Sequence, residues 1–326
     1  MIEVRNLVKR YGPHTAVDHL SFTVEQGQIY GFLGPNGAGK STTMNIMTGY
    51  LAATEGQVLI DGCDIFEDPE AAKRNIGYLP ELPPLYLDMF VEEYLFFVAD
   101  LKGIEKAKRK QYVEEVLELT HITHVRHRLI RNLSKGYRQR VGLAQAVLGY
   151  PKVIILDEPT VGLDPKQIIE IRDVVKSLGK KHTVILSSHI LSEISSVCDH
   201  VMIISKGKLV ASDTPENLSH TLAAANRLNL TIRGSKEDAA RALEGLPGLL
   251  ALDWKVSAEE GAVEAELRSG KERDIREDVF RALSKADLPI LRMVSGQMSL
   301  EDVFLELTGE GAAQAADAEQ GEEALA

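Results

Sequence analysis

Apolar positions along this chain follow two rhythms. Leu20, Phe22 and Val24 alternate with polar neighbours, the pattern of a half-buried strand. Gln28 to Leu33 is a short apolar run that ends in a glycine-rich loop, and a helical pattern with Met44 and Met47 follows it. Val153-Ile154-Ile155-Leu156 and Thr183-Val184-Ile185-Leu186 are unbroken apolar runs, which read as strands of a parallel sheet covered on both faces. Asp164-Pro165-Lys166-Gln167 predicts a helix start: Asp caps, Pro suits the first turn, and Gln three residues on completes a capping box. That helix carries Ile168, Ile171, Val175 and Leu178 on one side and stops at Gly179. Strands alternating with helices over residues 1–220 predict an α/β fold.

After His220 the pattern changes. Leu228, Leu230 and Ile232 alternate as a strand, and Ser235 caps a helix bearing Ala239, Ala242, Leu243 and Leu246. Two further alternating runs follow, Leu250-Leu252-Trp254-Val256 and Val263-Ala265-Leu267. A helix with Ile275, Val279 and Leu283 and a strand near Ile290 complete the order βαββαβ. This predicts a small accessory α+β domain of ferredoxin-like type over residues 221–310. A last helix is expected from Ser299 to Leu307, and residues 311–326 read as a disordered acidic tail.

Composition changes this picture little. The 326 residues are 44% hydrophobic and 26% charged, an ordinary globular balance. A net charge of -11 leans against nucleic acid as a partner. Cys63 and Cys198 belong to no metal or redox spacing, which suits a reducing compartment. Met1 to Arg5 does not begin a signal peptide, and no apolar run reaches the ~20 residues that span a bilayer. Any membrane role is therefore expected through a partner.

The densest chemistry lies in Gly34-Pro35-Asn36-Gly37-Ala38-Gly39-Lys40-Ser41, followed by Thr42. This is the phosphate-binding spacing G-x-x-x-x-G-K-S between a strand and a helix. Its backbone N–H groups form an anion nest, and the helix N-terminus adds positive potential. Lys40 is expected on the β- and γ-phosphates of ATP and the Ser41 hydroxyl on Mg²⁺. Asp157-Glu158 ends an apolar strand at the carboxyl edge of the sheet, where such folds bind ligands. Asp157 is suited to holding Mg²⁺ and Glu158 to orienting or deprotonating water. Lys106 to Lys110 reads as a solvated helix face. His121, His124 and His127, spaced by three, fit a solvated helix face better than a metal site.

Between and after these elements stand Leu133-Ser134-Lys135-Gly136-Tyr137-Arg138-Gln139-Arg140, Gly162-Leu163-Asp164 and Ser187-Ser188-His189. In this order the motifs resemble the ATP-binding cassette family over residues 1–220. The resemblance implies a P-loop fold with a parallel-sheet core, an antiparallel β subdomain and a helical subdomain. It implies an ATPase that drives a transporter. Tyr11 matches the aromatic that stacks on adenine. Ser134 and Gly136 match the signature loop, which meets the γ-phosphate of ATP held by a second protomer. Asp164 matches the loop linking the two sites, and His189 the histidine that contacts the γ-phosphate. Lys40, Glu158 and His189 are thus the expected catalytic residues, and the expected partner is a second cassette, as a homodimer or a paired chain.

Departures are visible. Lys135 and Tyr137 stand where the family has a glycine and a glutamine. Glu81, in Tyr78-Leu79-Pro80-Glu81, stands where the family has the glutamine that senses Mg²⁺ and faces the membrane partner. A carboxylate there is a candidate metal ligand. With the ending Leu300 to Leu307, these variants resemble a bacterial exporter group that includes gliding-motility and copper-processing cassettes. An integral membrane permease is the expected partner, docking near Leu82 to Phe97, which implies a cytoplasmic protein peripheral on the inner face of the membrane. The alternatives are a soluble cassette acting on ribosomes or nucleic acid and a non-hydrolysing subunit. The first normally carries two cassettes or a coiled-coil insertion. The second would be expected to lack Lys40 or Glu158.

Overall fold

A computed structural model describes residues 1–222, 225–257, 259, 261–270 and 273–296. The expected helix at Ser299 to Leu307 and the tail at 311–326 lie outside these described residues. The chain divides into two compact units, Met1–Pro215 and the residues from Glu216 on.

The first unit holds two sheets. β1 (Ile2–Tyr11), β2 (His14–Val24), β4 (Glu55–Ile60) and β5 (Cys63–Asp64) form an antiparallel sheet in the order β2-β1-β4-β5. β3 (Ile29–Leu33), β6 (Ile76–Leu79), β7 (Val153–Leu156), β8 (Thr183–Ser188), β9 (His200–Ser205) and β10 (Lys208–Asp213) form the other, in the order β10-β9-β3-β8-β7-β6. Its strands run parallel except β10. Every residue of β3, β7 and β8 is buried, as the unbroken apolar runs require. One core joins the two sheets: Phe22 of β2 meets Phe32 of β3 with ring centroids 5.7 Å apart, and Met44 and Met47 of the helix Lys40–Met47 fill the space beside them. Each fully buried side chain of this size contributes roughly 1.5–3 kcal/mol.

Register decides where the chemistry converges. Leu33 pairs with Ser188, and Leu156 with Leu186, so β3, β8 and β7 end side by side. The loops that leave them begin at Gly34, His189 and Asp157, which places the three motifs on one edge of the sheet.

Asp164 caps the helix Pro165–Gly179 by accepting a hydrogen bond from the Gln167 amide at 2.9 Å. The expected capping box is only half formed, because the Gln167 side chain lies against Gly136 instead. Gly179 stays helical and Lys180 ends the helix, so the glycine is not a left-handed cap. The three histidines do not share a helix face. His121 follows the helix Lys106–Leu119 in a left-handed conformation (φ 56°), and His124 lies in the short 3₁₀ turn Thr123–Val125.

In the second unit, β11 (Ala225–Arg233), β12 (Leu249–Val256), β13 (Ala262–Gly270) and β14 (Ile290–Gly296) pair antiparallel in the order β12-β13-β11-β14. The helices Lys236–Leu243 and Arg276–Lys285 supply Ala239, Leu243, Val279 and Leu283 to a core with Leu228, Leu230, Ile232 and Leu267. This is the βαββαβ arrangement with its two long crossovers. One expectation fails: a bulge between Leu249 and Ala251 breaks the alternation of β12, so Leu249 packs inward and Leu250 is 69% exposed.

Candidate functional site

β3 delivers the chain to Gly34, and the loop turns into the helix at Lys40. Gly39 has φ 103°, and the Ala16 carbonyl oxygen lies 2.4 Å from where a Cβ would stand, so both the turn and the close approach require glycine. The helix has no acidic residue in its first turn, which leaves its N-terminal potential free to attract an anion. Lys40 is buried. Its ammonium donates to the carbonyls of Gly34 at 2.7 Å and Pro35 at 3.2 Å, and lies 3.5 Å from a carboxylate oxygen of Glu158. The cation is thus folded over the loop on groups that phosphate oxygens can replace.

β7 delivers Asp157 and Glu158, both buried. Asp157 Oδ1 accepts from Ser41 Oγ at 3.1 Å and from Ser187 Oγ at 2.6 Å. The Glu158 amide donates to the same Ser187 Oγ at 2.8 Å. Glu158 sits at φ 47°, a left-handed conformation rare for a residue with a side chain. Its carboxylate lies 3.0 Å from His189 Nδ1, and His189 is partly exposed. The segment beyond is held from below. Buried Glu193 accepts from Thr160 Oγ1 at 2.5 Å and from Ser188 Oγ at 3.1 Å.

These groups open into a cleft of about 410 Å³. Of the expected residues, Asn36, Gly37, Gly39, Lys40, Ser41 and Thr42 line it, together with Tyr11, Glu81, Glu158 and His189. Gly34 and Pro35 contribute through their carbonyls, and Ala38 is buried beneath the loop. Tyr11 is 48% exposed, with the Lys9 ammonium 5.1 Å from its ring centroid. Asp157 faces a neighbouring groove of about 600 Å³, which shares Ser41 and Glu81 with the cleft. Tyr78 donates to Asn45 Oδ1 at 2.9 Å in that groove. Burial, with the nearby Asp157 charge, pushes its phenol well above the usual range, so it remains a donor. Glu81 is exposed and makes no hydrogen bond or ion pair among the described residues.

Ser134 and Gly136 are not part of the cleft. Ser134 caps the helix Lys135–Val147, accepting from the Tyr137 amide at 3.4 Å. Gly136 is buried under the Gln167 amide, whose oxygen lies 2.1 Å from where a Cβ would stand. The structure therefore joins ten of the expected residues in one cleft, seats Gly34, Pro35, Ala38 and Asp157 around it, and separates the signature pair from it.

Sequence reasoning missed Ser187 as a working residue. Among the described residues it is the one side chain that bonds both Asp157 and the Glu158 backbone. The available signal was a hydroxyl at the end of an otherwise apolar strand. Glu193 was missed too, because only the fold places it under Thr160 and Ser188.

The donors fit Mg²⁺ and ATP. Ser41 and Asp157 offer hard oxygens held on one another, and Lys40 with the helix N-terminus offers the positive field that a polyphosphate needs.

The sequence pattern of the family described as ABC transporter matches residues 17–161. The bacitracin transport ATP-binding protein BcrA of Bacillus licheniformis is 36% identical over 313 residues, covering 95% of this chain and 98% of the relative. The linearmycin resistance ATP-binding protein LnrL of Bacillus subtilis is 30% identical over 310 residues, covering 95% and 98%. The solved ATP binding subunit of an ABC transporter superposes with a TM-score of 0.63 at 29% identity, over 68% of this chain and 93% of that one. The dimeric structure of the bacterial cassette MJ0796 gives 0.61 at 25% identity, over 66% and 98%. The chain belongs to the ATP-binding proteins of the ABC transporters, and it is an ATPase.

Proposed function

We propose that this chain pairs head to tail with a second cassette around two ATP–Mg²⁺ and so drives a separate membrane permease as an exporter. The observation that carries the reading is the separation of the two half-sites. Lys40, Ser41 and Glu158 meet in one cleft, while Ser134 and Gly136 lie outside it, so one chain alone does not enclose a nucleotide. Lys40 and the loop amides bind the phosphates. Glu158, oriented by His189 and by its own strained backbone, positions and deprotonates the attacking water. Bound Mg²⁺ supplies charge neutralisation on the phosphates, held from Ser41 and Asp157. Glu81, unpaired at the junction of cleft and groove, is placed to reach that metal.

In this reading residues 1–220 are the nucleotide-binding domain and 221–310 an accessory domain. The permease docks beside the groove, where Leu82, Tyr86 and Phe90 are exposed at 75%, 58% and 47%. Among the described residues no helix is long and apolar enough to cross a membrane, so the membrane connection runs through that partner. The antibiotic transport and resistance named for BcrA and LnrL support export over import. A soluble role on ribosomes or nucleic acid has no observation in its favour.

The test is the Glu158→Gln variant with saturating ATP and Mg²⁺. It is expected to bind ATP, to hydrolyse it slowly and to sediment as a dimer. A monomer under these conditions contradicts the pairing. Cysteines at Tyr86 or Met89 are expected to crosslink to an integral membrane protein, and capture of soluble partners alone contradicts the transporter role.

A further inference from the structure

We propose that Lys135 is an additional γ-phosphate ligand, delivered from the signature loop of one chain to the nucleotide held by the other. The inference rests on the paired-cassette reading above and adds a residue to it.

Lys135 is exposed and is the first residue of the helix Lys135–Val147, directly after its cap Ser134. A cation at this position opposes the helix dipole. The first turn contains no acid to compensate it, and Lys135 makes no ion pair among the described residues. The loop thus gathers a positive helix end and a free ammonium on one surface, an arrangement completed by an anion. Its other variant residue supplies none of this charge. The Tyr137 hydroxyl is turned to His124 Nε2 at 2.9 Å.

The ammonium lies against Gly162. It lies 2.3 Å from where a Cβ on Gly162 would stand, with Cε at 3.2 Å and Cδ at 3.4 Å from the same point. Gly162 has φ 72° and follows Glu158 by four residues. The left-handed backbone there favours glycine, which leaves room for the lysine tip. A lysine that merely solubilised the helix end would extend into water, whereas this one folds across the segment that leaves Glu158. In return the Gln167 amide fills the notch at Gly136. The signature loop and residues 162–167 therefore pack together, and Lys135 directly follows Ser134 in that loop. A flexible four-carbon stem ending in a point charge suits recognition of a phosphate oxygen.

The experiment uses the full chain in the Glu158→Gln background, with dimerisation followed by sedimentation at fixed ATP and Mg²⁺. Lys135→Met keeps the stem over Gly162 and removes the charge. Loss of one charge-assisted contact at each of two sites is expected to weaken the dimer about tenfold per site, about a hundredfold in all. Lys135→Arg is expected to restore it to within a few-fold. High salt is expected to narrow the gap between parent and Lys135→Met, and with ADP, which has no γ-phosphate, the two are expected to behave alike. A Lys135→Met dimer as tight as the parent's overturns the proposal. So does a Lys135→Arg dimer as weak as that of Lys135→Met, since that pattern assigns Lys135 to packing over Gly162. A parent that stays monomeric with ATP is a separate outcome and overturns the pairing itself.

Discussion

The two units of this chain arrange their polar residues differently, although both bury some, Glu266 in the second among them. In the first, polar side chains are buried and converge: Lys40, Asp157, Glu158, Ser187 and Glu193 are each at most 6% exposed, and all meet partners at the strand ends. In the second, charged groups pair across one face of a sheet. Lys255 bonds Glu266 at 3.0 Å, Arg268 meets Asp253 at 3.1 Å, and the helices cover the other face. Buried polar groups cost free energy unless satisfied, so a unit that keeps several at one edge is organised for chemistry. A unit that spreads them over a regular face is organised by alternation alone. Chemistry and packing should therefore fail separately in the two units.

The largest effect is expected at the cleft. Lys40→Ala removes the buried cation and should lower ATP hydrolysis by at least about a hundredfold, with unchanged thermal melting of the second unit. Next is Leu230→Ala, which empties a fully packed site in the second unit. It should cost about 2–5 kcal/mol of that unit's stability, read by denaturant unfolding, and leave the kcat of ATP hydrolysis in place. A large loss of kcat in Leu230→Ala would break the comparison. Ser187→Ala leaves the Glu158 amide and Asp157 short of a partner, a change of about 1–3 kcal/mol. Steady-state assays should show kcat reduced about tenfold with little change in KM, because the hydroxyl orders the catalytic backbone and not the nucleotide. Glu81→Ala should lower kcat several-fold and shift the Mg²⁺ dependence, with Glu81→Gln milder. An alanine variant with parental kcat and Mg²⁺ dependence would remove Glu81 from the metal site.

The smallest effect concerns how the signature helix is held at its far end. Lys102 donates to the carbonyls of Gln145, Ala146 and Leu148 at 2.8, 3.2 and 2.7 Å. Burial pushes its ammonium down to about 8 from an ordinary 10.5. Between those values the unfolded chain keeps a proton that the native chain has lost, so native stability from this group rises with pH across that window. Melting curves of the parent and Lys102→Met should diverge in the parent's favour as pH rises from 8 to 10.5. A pH-independent difference would show that Lys102 does not titrate there.

Much of this was legible in the sequence where the determinant is local. The loop Gly34–Ser41 carries its glycines and lysine in one continuous stretch, and the runs Val153–Leu156 and Thr183–Leu186 declare buried strands by themselves. What was not legible depends on which strands become neighbours. Ser187 matters only because β8 lies beside β7, a fact of strand order and not of spacing. The left-handed backbone at Glu158 has no glycine to announce it. Gln167 fitted a capping box in sequence, yet tertiary packing drew its amide onto Gly136. In β12 a bulge moved Leu250 to the surface, and period-two reasoning has no term for an inserted residue.

The central claim is that each nucleotide is completed by two chains. It is tested most directly with a photoreactive ATP labelled at the γ-phosphate and two differently tagged chains, both carrying Glu158→Gln. One chain also carries Lys40→Ala and cannot hold phosphate in its own loop. When the two are mixed and irradiated, the label is predicted on the segment Leu133 to Arg140 of the Lys40→Ala chain, and not when that chain is irradiated alone. Label confined to the chain that keeps its own Lys40 would contradict the account.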